Sequence, residues 1–194
     1  SDSHDRGDML AAAISSAKTM GAEAVIHCGD LIGGNTLKAS LKFGLPMHVI
    51  HGNNLGDPVA IARMAAKSNG QLMYYGQDAM LQLGGQRIFV THYPHYGEAM
   101  ACTGEWDLVC CGHSHVPLIG MRPNIAGSHT WLVNPGTVAG LGAKSATWVM
   151  GSLAKMEFKL LETEMLAEIR DQLEIERLHA GAIEFAARAR HRAL

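Results

Sequence analysis

The stretch Ala24-Val25-Ile26-His27-Cys28-Gly29-Asp30 limits the possible folds more than any other part of the sequence. Val25 and Ile26 are β-branched and sit in an apolar run too short for a helix, which predicts a buried strand. Gly29 allows a tight turn at the strand's end. Asp30 then stands at the carboxyl end of a central strand, where open α/β sheets place their ligands. A carboxylate has two oxygens and can bridge two cations. Four other stretches carry matching parts: Asp2-Ser3-His4, Gly52-Asn53-Asn54, Thr91-His92 and Gly112-His113-Ser114-His115. Each follows an apolar run, except the first, which opens the sequence. All five are expected to meet in one two-metal site built around Asp30.

Between these stretches the chain alternates strand and helix in its first half. Met9, Leu10, Ala13, Ile14 and Ala17 share one face of a helix expected over 8–20, with Gly21 as its stop. A D-x-H pair at a sheet edge calls for a strand in front of it, so a short apolar segment is expected ahead of Ser1. A short helix over 36–43 and a strand over 46–51 follow. Asp57-Pro58 then starts a helix running to about Ser68, with Asp at the cap and Pro at the first position. This order argues for parallel strands covered by helices.

The second half reads as mostly strands: 72–75, 79–83, 87–91, 106–111 and 131–133. Gly84-Gly85 is expected to turn a hairpin. Residues 91–97 read as a polar loop, Asn134-Pro135-Gly136-Thr137 as a turn, and 146–161 as a closing hairpin around Gly151-Ser152. The expected domain is 1–160, two sheets face to face with helices outside. A helical extension over 161–194 carries an apolar stripe of Leu166, Ile169, Leu173 and Leu178, which suits either its own domain or a second subunit.

Composition excludes more than it selects. With 47% hydrophobic and 18% charged residues in 194, a sizeable core is expected and global disorder is not. A formal net charge of -2 gives no bulk electrostatic case for nucleic acid or an anionic membrane. No apolar run approaches the length of a membrane span. Cys28, Cys102, Cys110 and Cys111 form no CxxC pair and fit reduced core thiols, hence a cytoplasmic protein.

The chemistry follows from residue type and spacing. Carboxylates lower the net charge of two divalent ions held roughly 3.5–4 Å apart. Neutral imidazoles bind borderline metals such as Mn, Fe, Ni or Zn and leave their Lewis acidity intact. Asn53 offers a neutral amide oxygen. Asp2 with His4, and His113 with His115, alternate at period 2, so each pair can face one side of an extended segment.

In order and placement, this set resembles the calcineurin-like metallophosphoesterase superfamily. Ile26-His27-Cys28-Gly29-Asp30 and Asn134-Pro135-Gly136-Thr137 are similar to those of its small bacterial and archaeal YfcE-like phosphodiesterases. The resemblance covers about residues 1–160. It implies a four-layer α/β/β/α sandwich of the α/β class. It implies a first metal held by Asp2, His4, Asp30 and His115, and a second by Asp30, Asn53, His92 and His113. The implied cofactors are two divalent ions, Mn first, with Ni, Fe, Zn or Mg as alternatives. The implied reaction is attack on a small phosphate ester, a diester before a monoester, by a water or hydroxide bridging the metals.

The sequence departs from the wider family just after Gly52-Asn53. Many members place a histidine there to protonate the leaving group. Asn54 stands at that position and cannot act as an acid near neutral pH; YfcE-like members also lack that histidine. His95 is the candidate substitute. Asp57 reads as a helix cap, and strand alternation can turn His27 and His51 away from the metals. Arg6 and Tyr93 are candidate contacts for substrate, with Tyr96 beside them. Two alternatives use the same fold. One is a binding scaffold, as in a retromer subunit, which usually goes with eroded ligands. The other is a nuclease, which would want a basic track or an aromatic platform.

Overall fold

A computed structural model describes residues 1–163. The expected helical extension and its dimer interface lie outside the described residues, save that the last strand runs on through Glu162. The chain begins with helix α1 (Gly7–Thr19), strand β1 (Val25–His27), helix α2 (Gly34–Leu41), strand β2 (Met47–Val49), helix α3 (Pro58–Lys67) and strand β3 (Leu72–Tyr74). The three strands form a parallel sheet in the order β1-β2-β3, with Val25 opposite Met47 and Met47 opposite Leu72. Asp57 caps α3 as expected, its Oδ1 accepting from the Ala60 N–H at 2.9 Å.

The second half builds β4 (Asp78–Leu83), β5 (Gln86–Thr91), helix α4 (Pro94–Cys102), β6 (Leu108–Cys110), β7 (Leu118–Pro123) and β8 (His129–Asn134). These five strands pair in the order β4-β5-β6-β8-β7. The β5-β6 and β6-β8 pairs are parallel and the outer pairs antiparallel. Gly84 and Gly85 turn the first hairpin with φ of 55° and 78°, the left-handed pair that a two-residue turn requires. A separate hairpin joins β9 (Thr147–Ser152) to β10 (Glu157–Glu162).

Two expectations need correction, and one strand was not anticipated. The polar loop expected over 91–97 gives way to α4, which starts at Pro94. Its core contacts are Gly97 and Ala101, too small to print an apolar stripe. A Cβ on Gly97 would meet Leu132 Cδ1 at 3.3 Å and Cys111 Cβ at 3.4 Å, so close packing on the sheet selects this helix. Strand β7 carried no signal because it is an edge strand whose residues are half-buried or exposed. Gly151 and Ser152 lie inside β9 rather than in the turn. Gly151 pairs with Phe158, whose ring edge would stand 2.8 Å from a Cβ there.

Strand alternation sorts the apolar side chains into layers. Met47, Val49 and Leu72 face Leu10, Ile14, Leu37 and Ile61 of the first three helices. Their neighbours Ile26, Cys28 and Ile50 face the other way, onto Leu81, Ile88, Val90, Leu108 and Cys110 of the second sheet. That sheet's opposite face, with Phe89, Val109, Cys111 and Leu132, takes Ala101 and Met100 of α4. The result is the expected four-layer α/β/β/α order. Its parallel strands β1, β2, β5 and β6 end on one side. No described helix is long and apolar enough to cross a membrane. All four cysteines are free, and burial pushes the Cys111 thiol up to about 12, an inert core thiol.

Candidate metal centre

Residues 1–4 lie alongside the end of β1. The Asp2 N–H donates to Gly29 O at 3.0 Å, and the His4 N–H to Asp30 O at 2.9 Å. Asp2 and Asp30 are buried, at 0% and 2% exposure. Asp2, His4, Asp30, His113 and His115 all adopt positive φ, between 47° and 66°. Non-glycine residues populate that region rarely and at a cost, mostly where the surrounding structure enforces it. Two glycines make room for the carboxylates. A Cβ on Gly52 would come within 2.7 Å of His92 Cε1, and one on Gly112 within 2.7 Å of Asp2 Oδ2.

The histidines are aimed by their outer nitrogens. His92 Nδ1 donates to Cys28 O at 2.8 Å, which leaves Nε2 as a lone pair. Nε2 lies 3.2 Å from Asp30 Oδ1 and 2.9 Å from Asn53 Oδ1. His115 Nδ1 donates to Leu141 O at 2.6 Å, and its Nε2 lies 3.4 Å from Asp2 Oδ1. Lone pairs that converge on oxygens repel one another unless a cation lies between them. One donor atom each from Asp2, His4 and His115 lies within 4.8 Å of the others, and so it is for Asp2, Asp30 and His92. Among the described residues, Asp2 Oδ1 and His4 Nε2 are buried without a hydrogen-bond partner. Buried polar atoms are rarely left so, and a divalent cation suits both. The residues therefore fit a metal.

Asn53 and His113 are brought to the same place, more exposed. Asn53 Oδ1 accepts from His113 Nδ1 at 2.8 Å. Asn54 turns inward: its N–H donates to Asp30 Oδ1 at 2.9 Å and its side-chain amide to Oδ2. Tyr93 packs edge-on to His92 and His113, with ring centroids 5.2 and 5.1 Å away. His95 is exposed on the first turn of α4, next to Tyr93 at 5.6 Å. Arg6 reaches none of these residues by a hydrogen bond. Its guanidinium grips Asp8 with two bonds of 3.0 and 2.8 Å.

A supporting shell went unread in the sequence. Asn134 donates to Gly112 O at 2.8 Å and to Ser114 Oγ at 3.1 Å, and it accepts from the Gly136 N–H at 2.9 Å. Thr137 Oγ1 donates to Asp2 O at 2.9 Å, and Thr36 Oγ1 to His4 O at 2.9 Å. The Ser1 hydroxyl bonds the Asp2 carboxylate. Behind Asp2 and His4, His27 accepts from the Gly29 N–H through Nδ1 and donates to Ser3 Oγ through Nε2, at 3.2 and 3.0 Å. Burial holds its imidazole neutral, well below the usual histidine range. The one signal was a polar Asn and Thr closing the apolar run of β8.

The sequence model of the calcineurin-like phosphoesterase superfamily domain matches residues 1–156. The chain belongs to that superfamily. As a calcineurin-like phosphoesterase it is a hydrolase of phosphate esters. It is 24% identical over 142 residues to phosphodiesterase MJ0936 of Methanocaldococcus jannaschii, covering 72% of this chain and 82% of that one. The solved structure of a novel archaeal phosphodiesterase superposes with a TM-score of 0.75 at 21% identity, over 83% of this chain and 95% of that one. Protein PH1004 of Pyrococcus horikoshii superposes at 0.55 with 16% identity, over 91% of both chains. These two likenesses concern the fold.

Proposed function

We propose that this phosphoesterase is a dinuclear metal-dependent phosphodiesterase acting on small phosphate esters. Asp2, His4, Asp30 and His115 would hold one divalent ion, and Asp30, Asn53, His92 and His113 the other. The observation that carries this reading is the pair of unpartnered buried atoms, Asp2 Oδ1 and His4 Nε2, among left-handed carboxylate and imidazole residues. Bound divalent ions supply Lewis acidity and lower the pKa of water, and the mixed N/O set suits manganese.

The chain's own residues orient and neutralise. Asn54 fixes both oxygens of Asp30 with two amide donors, so that carboxylate is held in one orientation. His113 stands on the open side, whereas His92 is buried behind it at 1% exposure. Among the described residues, neither candidate for a leaving-group acid is placed to serve. Asn54 carries no titratable proton, and His95 lies beyond Tyr93. Diesters with a low-pKa leaving group, or ones whose leaving oxygen takes a proton from solvent, are the substrates this favours.

The test is turnover of an activated aryl phosphodiester and the matching monoester by protein stripped of metal and reloaded with manganese, beside Asp30→Asn. Metal-dependent hydrolysis that favours the diester and is lost in the variant is the expected result. Turnover that survives both metal removal and the substitution would overturn the reading.

A further inference from the structure

The α4 start carries a group of rings that the metal centre does not use. Tyr93 is the residue before the helix, and His95 and Tyr96 stand in its first turn. Tyr96 is 51% exposed although it is a large aromatic, and its ring lies 4.2 Å from His95 and 5.8 Å from Tyr93. Tyr93 in turn touches His92 and His113 edge-on. The rings thus form a continuous path from the open side of the metal centre out to solvent. Exposed apolar side chains also stand on the loops bearing the proposed ligands: Ile32 two residues after Asp30, Leu55 two after Asn53, and Val116 beside His115, at 43%, 46% and 64% exposure. Side chains of this kind left open beside polar ligands mark a surface that binds something.

Resting on the phosphoesterase reading, we infer that Tyr93 and Tyr96, whose rings stand at 86° to each other, form a two-walled aromatic shelf that takes a planar ring on one ester arm of the substrate, against the face of one and the edge of the other. The shelf starts at the ligand histidines, so its occupant is tethered to the phosphate and is not a separate partner. Ring stacking is sequence-tolerant and uses the face of any aryl or nucleobase group. Such binding lies away from the reacting phosphorus and supplies affinity, not charge stabilisation. A ring attached directly to the phosphate would meet Tyr93, and a nucleobase on its sugar would extend to Tyr96.

The experiment is calorimetric binding of methyl phosphate, phenyl phosphate and a nucleoside 5′-monophosphate to manganese-loaded protein. It compares the wild type with Tyr93→Leu, Tyr96→Ala and Tyr96→Phe. An aromatic monoester should bind about fivefold or more tighter than methyl phosphate. For the nucleotide, that ratio should fall toward one in Tyr96→Ala and persist in Tyr96→Phe. A gain confined to phenyl phosphate and lost in Tyr93→Leu would keep the shelf and assign it an aryl arm. Equal binding of all three, or a gain that no tyrosine variant removes, would overturn the shelf and leave the phosphoesterase reading in place. Failure of every monoester to bind would overturn the shelf, while the phosphoesterase reading would still stand or fall on metal-dependent diester turnover.

Discussion

The two sides of the metal centre are built differently. Asp2, Asp30 and His92 form a floor that is 0%, 2% and 1% exposed. Asn53 and His113 form a lip open to solvent. The floor is fixed by backbone: residues 1–4 are hydrogen-bonded to the end of β1, and both carboxylates sit at positive φ. The lip is fixed by a side-chain bond, Asn53 Oδ1 to His113 Nδ1. Floor atoms such as Asp2 Oδ1 are left without a partner, whereas the lip's donors satisfy one another. The floor's buried, unpartnered atoms therefore suit an ion. The lip is exposed and held by one side-chain bond, which makes it the side on which the proposed substrate would arrive.

The largest effect that could break this comparison is expected at Asp30. Asp30→Asn keeps the shape and removes the charge that joins floor to lip. Turnover should fall on the order of 10³-fold or more, since the ions' charge stabilisation is worth several kcal/mol. Bound metal per chain, measured by elemental analysis, should fall with it. Asn53→Ala, on the lip, should retain more metal than Asp30→Asn. If the lip variant lost as much, the floor would have no special standing.

The next effect tests the shell that ties the sides together. Asn134 binds the Gly112 carbonyl and the Ser114 hydroxyl, and so sets the loop that carries His113 and His115. Asn134→Ala should lower metal affinity or kcat by about 10- to 100-fold, with the circular dichroism spectrum unchanged. Thr137→Val touches only the Asp2 carbonyl and should shift the floor more than the lip.

How far the sequence announced this arrangement depended on what each residue packs against. Asp30, Asn53, His92 and the His113-Ser114-His115 stretch were legible because each ends a strand whose apolar run is visible. The first sheet was legible for the same reason, its β-branched and apolar residues alternating with helices. Helix α4 was not, because it buries glycine and alanine against Leu132 and Cys111. Asn134 and Thr137 were read as a turn and as part of the family resemblance, but not as support for the ligand loops, since their partners are backbone carbonyls and a hydroxyl brought from distant loops. Arg6 stood near two proposed ligands in sequence, but Asp8, two residues on, engages its guanidinium. Such pairing shows only in three dimensions.

Acid should separate the floor's support from the lip more gently. Burial lowers the pKa of His27 below its unfolded value, so the unfolded chain takes up a proton first as pH falls. Stability is unaffected above about pH 6.5. Below it, stability falls by about 1.4 kcal/mol per pH unit until the folded-state pKa is reached. His48 and His51, also lowered by burial, act in the same direction. Denaturant midpoints from pH 7 to 5 should fall in the wild type and less steeply in His27→Gln. Equal slopes would show that His27 is not what the acid titrates.

The smallest effect is expected at Arg6, next to the floor but turned from it. Its pair with Asp8 is partly exposed, with side chains 37% and 15% accessible. Pairs of that kind are worth about 0–1 kcal/mol. Releasing the guanidinium toward a substrate phosphate would therefore cost little, and staying with Asp8 gains little. Arg6→Ala should change KM by no more than about fivefold and leave kcat unchanged. A larger rise in KM, absent from Asp8→Ala, would mean that the arginine leaves its partner when substrate binds. The floor would then have a mobile cation at its edge, and the division between a buried floor and an exposed lip would need redrawing there.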